Sequence, residues 1–170
     1  YWMNYSKKIY FKNVKKIKKQ YKNFIFFASS FGIANNINKK DGVKLSLDQY
    51  DKKNKTLNKF LFDQAEYNKK NLAIYKDLIF NIANKNKNIN IIVRPHPSED
   101  FSMWKKMAKE LDNIKFIYKG SITKWILASK VLLHFKSTSS LESVFLNKPA
   151  ITYLPIRNKK FDLKLPLQCS

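Results

Sequence analysis

Two short stretches carry the residue types that could hold or transfer a charged group. Arg94-Pro95-His96-Pro97 closes an apolar run, and His134 is followed by Phe135-Lys136-Ser137-Thr138-Ser139-Ser140 and then Glu142. Proline fixes its own φ and pushes the preceding residue toward extended geometry, so a loop in which Arg94 and His96 each precede a proline is stiff. Such a loop suits an anion or a sugar hydroxyl; the plain alternative is an ordinary turn with His96 exposed. Ser137, Thr138, Ser139 and Ser140 open a helix, and a first helical turn offers unpaired N–H groups and partial positive charge. Hydroxyls added there point to a phosphate site. A single serine cap would explain one hydroxyl but not the run. Glu142 would repel an adjacent phosphate. Its part is to accept bonds from a ribose or sugar ring, or simply to favour the helix start. His134 is either a group beside the phosphate loop or a core-edge residue bonded to backbone.

A third loop, Ser29 to Asn36, brings Ser30, Gly32 and Asn35, with Gly32 permitting close backbone approach or positive φ. Metal chemistry has little to work with: two His, one Cys near the end of the chain and no spaced carboxylate pair form no zinc site. Neither a Walker-type nor a dinucleotide glycine loop is present, nor a nucleophile elbow.

These loops need strands to carry them. Phe24 to Ala28, Ile89 to Val93, Ile114 to Ile117, Val131 to His134 and Ala150 to Leu154 read as short buried strands. Between them lie helical patterns. A long one runs from about Thr56 to Lys85, the next from Ser98–Asp100 through Leu111, then a brief one capped by Thr123, then Leu141 to Leu146. Tyr5 to Tyr21 places Ile9, Tyr10, Val14, Ile17 and Tyr21 on one face with lysines opposite, as in a membrane-surface helix or one packed on a missing domain or a neighbouring sheet. Ile37 to Asn58, with Asp41-Gly42 as a turn signal, reads as a surface insertion or lid. Alternation of this kind with short connections means an α/β protein with a parallel sheet covered on both faces. Parallel strands bring the polar loops together at one edge, as a single crevice.

Composition limits the classes. The chain has 170 residues and 44% hydrophobic content, enough for one domain with a full core. One cysteine, Cys169, allows no internal disulfide and suits a reducing cytoplasm. No apolar run approaches the ~20 residues of a spanning helix, and the first residues lack the apolar core of a signal peptide. The formal charge of +22 invites a nucleic-acid reading. Yet the excess is nearly all Lys, dispersed and accompanied by Asn, Ile, Phe and Tyr, which share A/T-rich codons. Specific nucleic-acid binding is therefore not expected, whereas peripheral contact with an anionic membrane is compatible with the charge.

The motifs together resemble a known family. Phe26 to Asn36, Val93-Arg94-Pro95-His96-Pro97-Ser98-Glu99, Trp125 to Ser129, and His134 through Ser137-Thr138, Glu142 and Lys148-Pro149-Ala150 occur in the order seen in bacterial surface carbohydrate biosynthesis proteins. Those look like GT-B-type glycosyltransferases, related to capsule Kdo transferases, polysialyltransferases and CDP-glycerol glycerophosphotransferases. The resemblance covers about Phe24 to Pro155. Asn147 stands where the family usually has Gly, and Phe135-Lys136 where small polar residues are common.

The resemblance implies a Rossmann-like domain, the C-terminal half of a GT-B enzyme, whose partner N-terminal domain lies outside this chain. Residues 1–23 would be a basic linker or packing helix, 24–156 the nucleotide-sugar domain and 157–170 an incomplete tail. His96 would contact the donor phosphate or nucleotide and is the catalytic candidate. Ser137 and Thr138 would hold phosphate, and Glu142 the ribose. Arg94, His134 and Ser139 complete the donor-binding set. The expected activity is sugar transfer from a nucleotide-activated donor to a glycan or glycolipid acceptor of capsule or lipopolysaccharide. It needs no permanently bound cofactor, leaves metal dependence open, and belongs in the cytoplasm or at the inner face of the plasma membrane. A polyol-phosphate transferase or a sugar-nucleotide epimerase would use the same phosphate site. A non-catalytic, lysine-driven membrane- or polyanion-binding module is the reading from another class.

Overall fold

A fully parallel sheet requires strands that are apolar on both faces, and this chain supplies them. The computed structural model describes residues 2–37, 44 and 54–162. The elements are α1 (Trp2–Tyr21), β1 (Phe24–Ala28), α2 (Lys55–Lys85), β2 (Asn90–Arg94), α3 (Ser102–Glu110), β3 (Ile114–Phe116), α4 (Thr123–Ala128), β4 (Val131–His134), α5 (Ser139–Phe145) and β5 (Ala150–Thr152). Among the described residues the sheet has five strands, all parallel, in the order β3-β2-β1-β4-β5. This is the α/β, Rossmann-like fold expected. The order reverses at β1, which places a crevice beyond the carboxyl ends of β1 and β4.

Successive strand side chains point to opposite faces. On β1, Phe24, Phe26 and Ala28 enter a cluster with Ile17, Ile92, Trp125, Leu132 and Leu146, beneath α1 and α4. Phe27 enters the other cluster, with Tyr75, Ile79, Ile91, Val93, Trp104 and Leu133, beneath α2 and α3. Phe26 and Phe27 are both completely buried, so truncating either to Ala would cost about 3–5 kcal/mol.

The register places the site. Ala28 pairs with Arg94 on one side and His134 on the other, and His134 pairs with Thr152. These residues form a row across the carboxyl edge, pointing to the α4/α5 face. From the opposite face, the buried Tyr75 hydroxyl of α2 lies 2.7 Å from the His134 carbonyl and 2.6 Å from that of Tyr153. Burial raises its pKa, so it stays a neutral donor shared between the two.

Several local expectations shift. Ile9 is exposed, whereas Tyr10, Val14, Ile17 and Tyr21 pack inward. The helix after Pro97 starts only at Ser102, because Glu99 turns into the core instead of standing at a helix end. Thr123 does not cap its helix: the residue before α4 is Ile122, with no side-chain cap, and the Thr123 hydroxyl is turned toward Glu142. Apart from Lys44, the stretch 38–53 that formed most of the expected insertion, with its Asp41-Gly42 turn, lies outside the described residues, as does 163–170. No helix among the described residues is long and apolar enough to cross a membrane.

Candidate functional site

The loops after β1, β2 and β4 are bound to one another before any ligand is considered. Glu99, fully buried, accepts four hydrogen bonds: from Ser29 Oγ at 2.8 Å, Phe31 N–H at 3.1 Å, His96 N–H at 3.0 Å and Trp104 Nε1 at 3.1 Å. Around this hub the chain makes further ties. Asn35 and Asp100 exchange bonds, Asp100 N–H to the Asn35 carbonyl at 2.8 Å and Asn35 Nδ2 to the Asp100 carbonyl at 2.9 Å. Ile37 N–H reaches the Ser98 carbonyl at 2.8 Å. Ser30 Oγ donates to the Phe135 carbonyl, closing the β1 loop onto the β4 loop.

Gly32 is required by close approach rather than by positive φ. A Cβ built there would lie 1.9 Å from Ser98 Oγ and 3.0 Å from Ser98 Cβ. Ser98 in turn orients His96: its N–H lies 3.2 Å and its Oγ 2.7 Å from Nδ1. An Nδ1 that accepts the Ser98 N–H leaves the hydrogen of the neutral ring on Nε2, free to donate.

At the carboxyl edge lies a cleft of about 250 Å³ lined by Arg94, His96, Ser137, Thr138, Ser139 and Glu142, with Ala28, Ser29, Pro95, Pro97 and Ile122. Six of the seven residues singled out for catalysis or donor binding thus meet in one place. The seventh, His134, does not line it. The His134 ring is buried, with Nδ1 accepting the Ser137 N–H at 3.3 Å and Nε2 2.9 Å from Thr152 Oγ1. Burial pushes its pKa down to about 4, so it is neutral at pH 7 and positions the loop that follows it.

The helix-end reading of the serine run needs revision. Helix α5 begins at Ser139 and is seven residues long, and the amides of Ser137, Ser139, Ser140 and Leu141 around its start are already used. Ser137 Oγ accepts the Ser139 N–H at 3.3 Å and is 2.8 Å from Ser139 Oγ, while Ser140 Oγ donates to the Ser137 carbonyl at 2.9 Å. Ser140 N–H and Leu141 N–H reach the carbonyls of Ser137 and Thr138 at 3.2 and 3.1 Å. Thr138 is the exception: neither its N–H nor its hydroxyl has a partner among the described residues.

Across the cleft, Arg94 Nη1 is buried with no hydrogen-bond partner. Burial lowers the pKa of Arg94, and the nearby Tyr118 and Glu142 act to raise it; a guanidinium remains charged under such conditions. Glu142 is itself held. Ser121 Oγ donates to Thr123 Oγ1 at 3.0 Å, and the Thr123 hydroxyl donates to Glu142 Oε1. One carboxylate oxygen is thus spoken for, and the other can accept from a ligand.

The expected single crevice is divided. A second polar hollow of about 310 Å³ contains Ser30, Gly32, Gln64, Asn68, Ser98 and Lys136, and His96 borders both. Asn35 borders neither. In the hollow, Lys136 has φ of 51°, donates to the Phe161 carbonyl at 2.6 Å and lies 4.9 Å from the Tyr67 ring centroid. Its pKa is lowered by burial, against an opposing pull from Asp162.

Glu99, Ser121 and Thr123 support the site; in the sequence Glu99 figured only as the end of the His-Pro run that carries the resemblance, and Ser121 and Thr123 carried no functional signal. No group of three or more His, Cys, Asp or Glu among the described residues is placed to hold a metal. Comparison with protein-family models gives no match, and comparison with curated proteins gives no significant one.

Proposed function

We propose that this chain is the donor-binding domain of a glycosyltransferase of bacterial surface polysaccharide synthesis. The cleft at the carboxyl edge would hold the phosphates of a nucleotide-activated sugar. The supporting observation is the Arg94 guanidinium, with Nη1 buried and unpartnered, opposite the free Thr138 hydroxyl and N–H in one cleft. An unmade bond from a buried charged donor is costly, and a phosphate oxygen would make it as a charge-assisted bond. The order of the His-Pro, Ser-Thr, Glu and Lys-Pro motifs supports the sugar-transfer chemistry by resemblance.

In this reading Arg94, Thr138 and the Nε2–H of His96 stabilise negative charge as it builds on the departing phosphate. Such preorganised donors supply much of the rate in reactions that release an anion. Glu142, pinned by Thr123, accepts from a ribose or sugar hydroxyl. Acceptor binding, and any general base, belong to a second domain, so the chain alone binds donor without efficient turnover.

Ligand-observed NMR with CMP, CDP, UDP, GDP and ADP at near-physiological salt tests this. Selective binding of one nucleotide, lost in Arg94→Met and weakened in Thr138→Ala, is the expected result. Weak, equal binding of all of them, seen only at low salt, would refute it and leave the lysines as the source of the signal.

A further inference from the structure

A cavity larger than the cleft lies on another face. A groove of about 530 Å³ runs between α1 and the turn from α5 to β5, lined by Lys7, Phe11, Val14, Lys15, Lys18, Leu127, Leu146, Asn147 and Lys148. It has an apolar floor, a rim of four lysines and no carboxylate. Helix α1 carries seven lysines and no acidic residue, and none of the ion pairs among the described residues involves a lysine of this groove. Lys18, Lys130 and Lys7 are close enough to Lys148 to add to burial in lowering its pKa. Like charges held together without counter-charge favour an anion beside them.

The groove is built rather than incidental. Asn147 takes φ of 51°, which Asn tolerates better than most residues. Asn147 N–H bonds the Val144 carbonyl at 2.9 Å, Lys148 N–H bonds the Ser143 carbonyl at 2.9 Å, and Ser143 Oγ donates to the Lys148 carbonyl at 2.8 Å. This braced turn holds Lys148 opposite α1. Phe11 and Phe145 are each 65% exposed, which large apolar side chains do not favour in water.

We propose that this face of the protein, α1 with the α5–β5 turn, docks on an anionic lipid membrane. Lysine rims with aromatic and aliphatic groups between them match the headgroup layer, where cations meet lipid phosphates and apolar side chains reach the acyl boundary. Nucleic acid would leave the apolar floor unused, and both arginines of the chain lie outside the groove. A second copy would set a chain of net charge +22 against another. Lys130 and Lys148 precede β4 and β5, at the amino edge of the sheet, while the cleft lies at the carboxyl edge. The two share no lining residue, so docking would leave the cleft open.

The test is co-sedimentation of the 170-residue chain with phosphatidylcholine vesicles, with and without phosphatidylglycerol, at near-physiological salt. Binding should require phosphatidylglycerol. Replacing Lys7, Lys15 and Lys18 by Gln should lower the partition coefficient on the order of a hundredfold, and Phe11→Ser should lower it several-fold with charge unchanged. A control replacing Lys59, Lys76 and Lys109, on α2 and α3, should change it far less. Absence of binding, an equal loss in the control, or tighter binding to single-stranded RNA that displaces the vesicles would each overturn the proposal.

Discussion

His96 donates its backbone N–H to the buried carboxylate of Glu99 at 3.0 Å, and the same oxygen takes the N–H of Phe31 at 3.1 Å. One acid therefore joins the loops after β1 and β2 from inside. The loop that carries Arg94 and His96 is fixed by packing before a ligand arrives, which lowers the ordering cost of binding.

Removing that acid should damage the fold as well as the site. Glu99→Ala leaves four donors without an acceptor, and bonds to charged groups are worth about 1.5–3 kcal/mol each, though not additively. A loss of roughly 3 kcal/mol or more in urea unfolding is expected, whereas Glu110→Ala, exposed on α3, should change stability by less than about 0.5 kcal/mol. Equal effects would mean that the hub does not carry the load assigned to it.

Gly32→Ala should act on His96 through Ser98. The new Cβ forces Ser98 Oγ to rotate away, since 1.9 Å is far inside contact, and His96 Nδ1 loses that neighbour. We expect a modest stability loss of about 1–3 kcal/mol with a several-fold weaker nucleotide affinity. Adding Ser98→Gly should recover the stability without recovering the affinity. Recovery of both would show that Ser98 does not orient His96.

Arg94→Met separates binding from folding. It removes an unpartnered buried nitrogen, so the unfolding midpoint should hold or rise. Nucleotide affinity should fall about ten- to a hundredfold, the worth of a charge-assisted bond. Arg94→Lys keeps the charge but not the planar fork and should also bind poorly. A large stability loss in Arg94→Met would instead make Arg94 a structural residue.

His134 makes stability depend on pH. Its folded pKa of about 4 lies below the ~6.5 of an unfolded histidine. Above ~6.5 both states are neutral there and the full stability is present. As pH falls from there toward 4, the unfolded state takes up a proton that the folded state refuses, and stability drops by up to roughly 3 kcal/mol. Urea titrations between neutral and mildly acidic pH should show a shallower decline for His134→Gln than for the wild type. Parallel declines would remove His134 as the cause.

The sequence was most legible where period and chemistry coincide. The strands from Phe24 and Val131 read correctly because β-sheet burial on both faces leaves unbroken apolar runs. Convergence of Arg94, His96, Ser137, Thr138, Ser139 and Glu142 followed from parallel topology alone. What failed were inferences from single residue types. Glu99 stands in the stretch read as a helix start, and only the tertiary approach of Ser29, Phe31 and Trp104 turns it inward. Of the two readings of His134, a group beside the phosphate loop or a core-edge residue bonded to backbone, the register favours the second by setting it beside Thr152. Thr123 looks like a cap, and its true partner Glu142 is nineteen positions away. Each depends on contacts distant in sequence, which local pattern does not encode.

The cleft itself is best tested by a titration of the 15N-labelled chain with the nucleotide that binds best, followed by amide NMR at near-physiological salt. Shifts confined to Arg94, His96, Ser137 to Ser139 and Glu142, with a curve that saturates, are the predicted result. Shifts spread along the lysines of α1, or none at those cleft residues, would contradict a phosphate site at the carboxyl edge of this sheet.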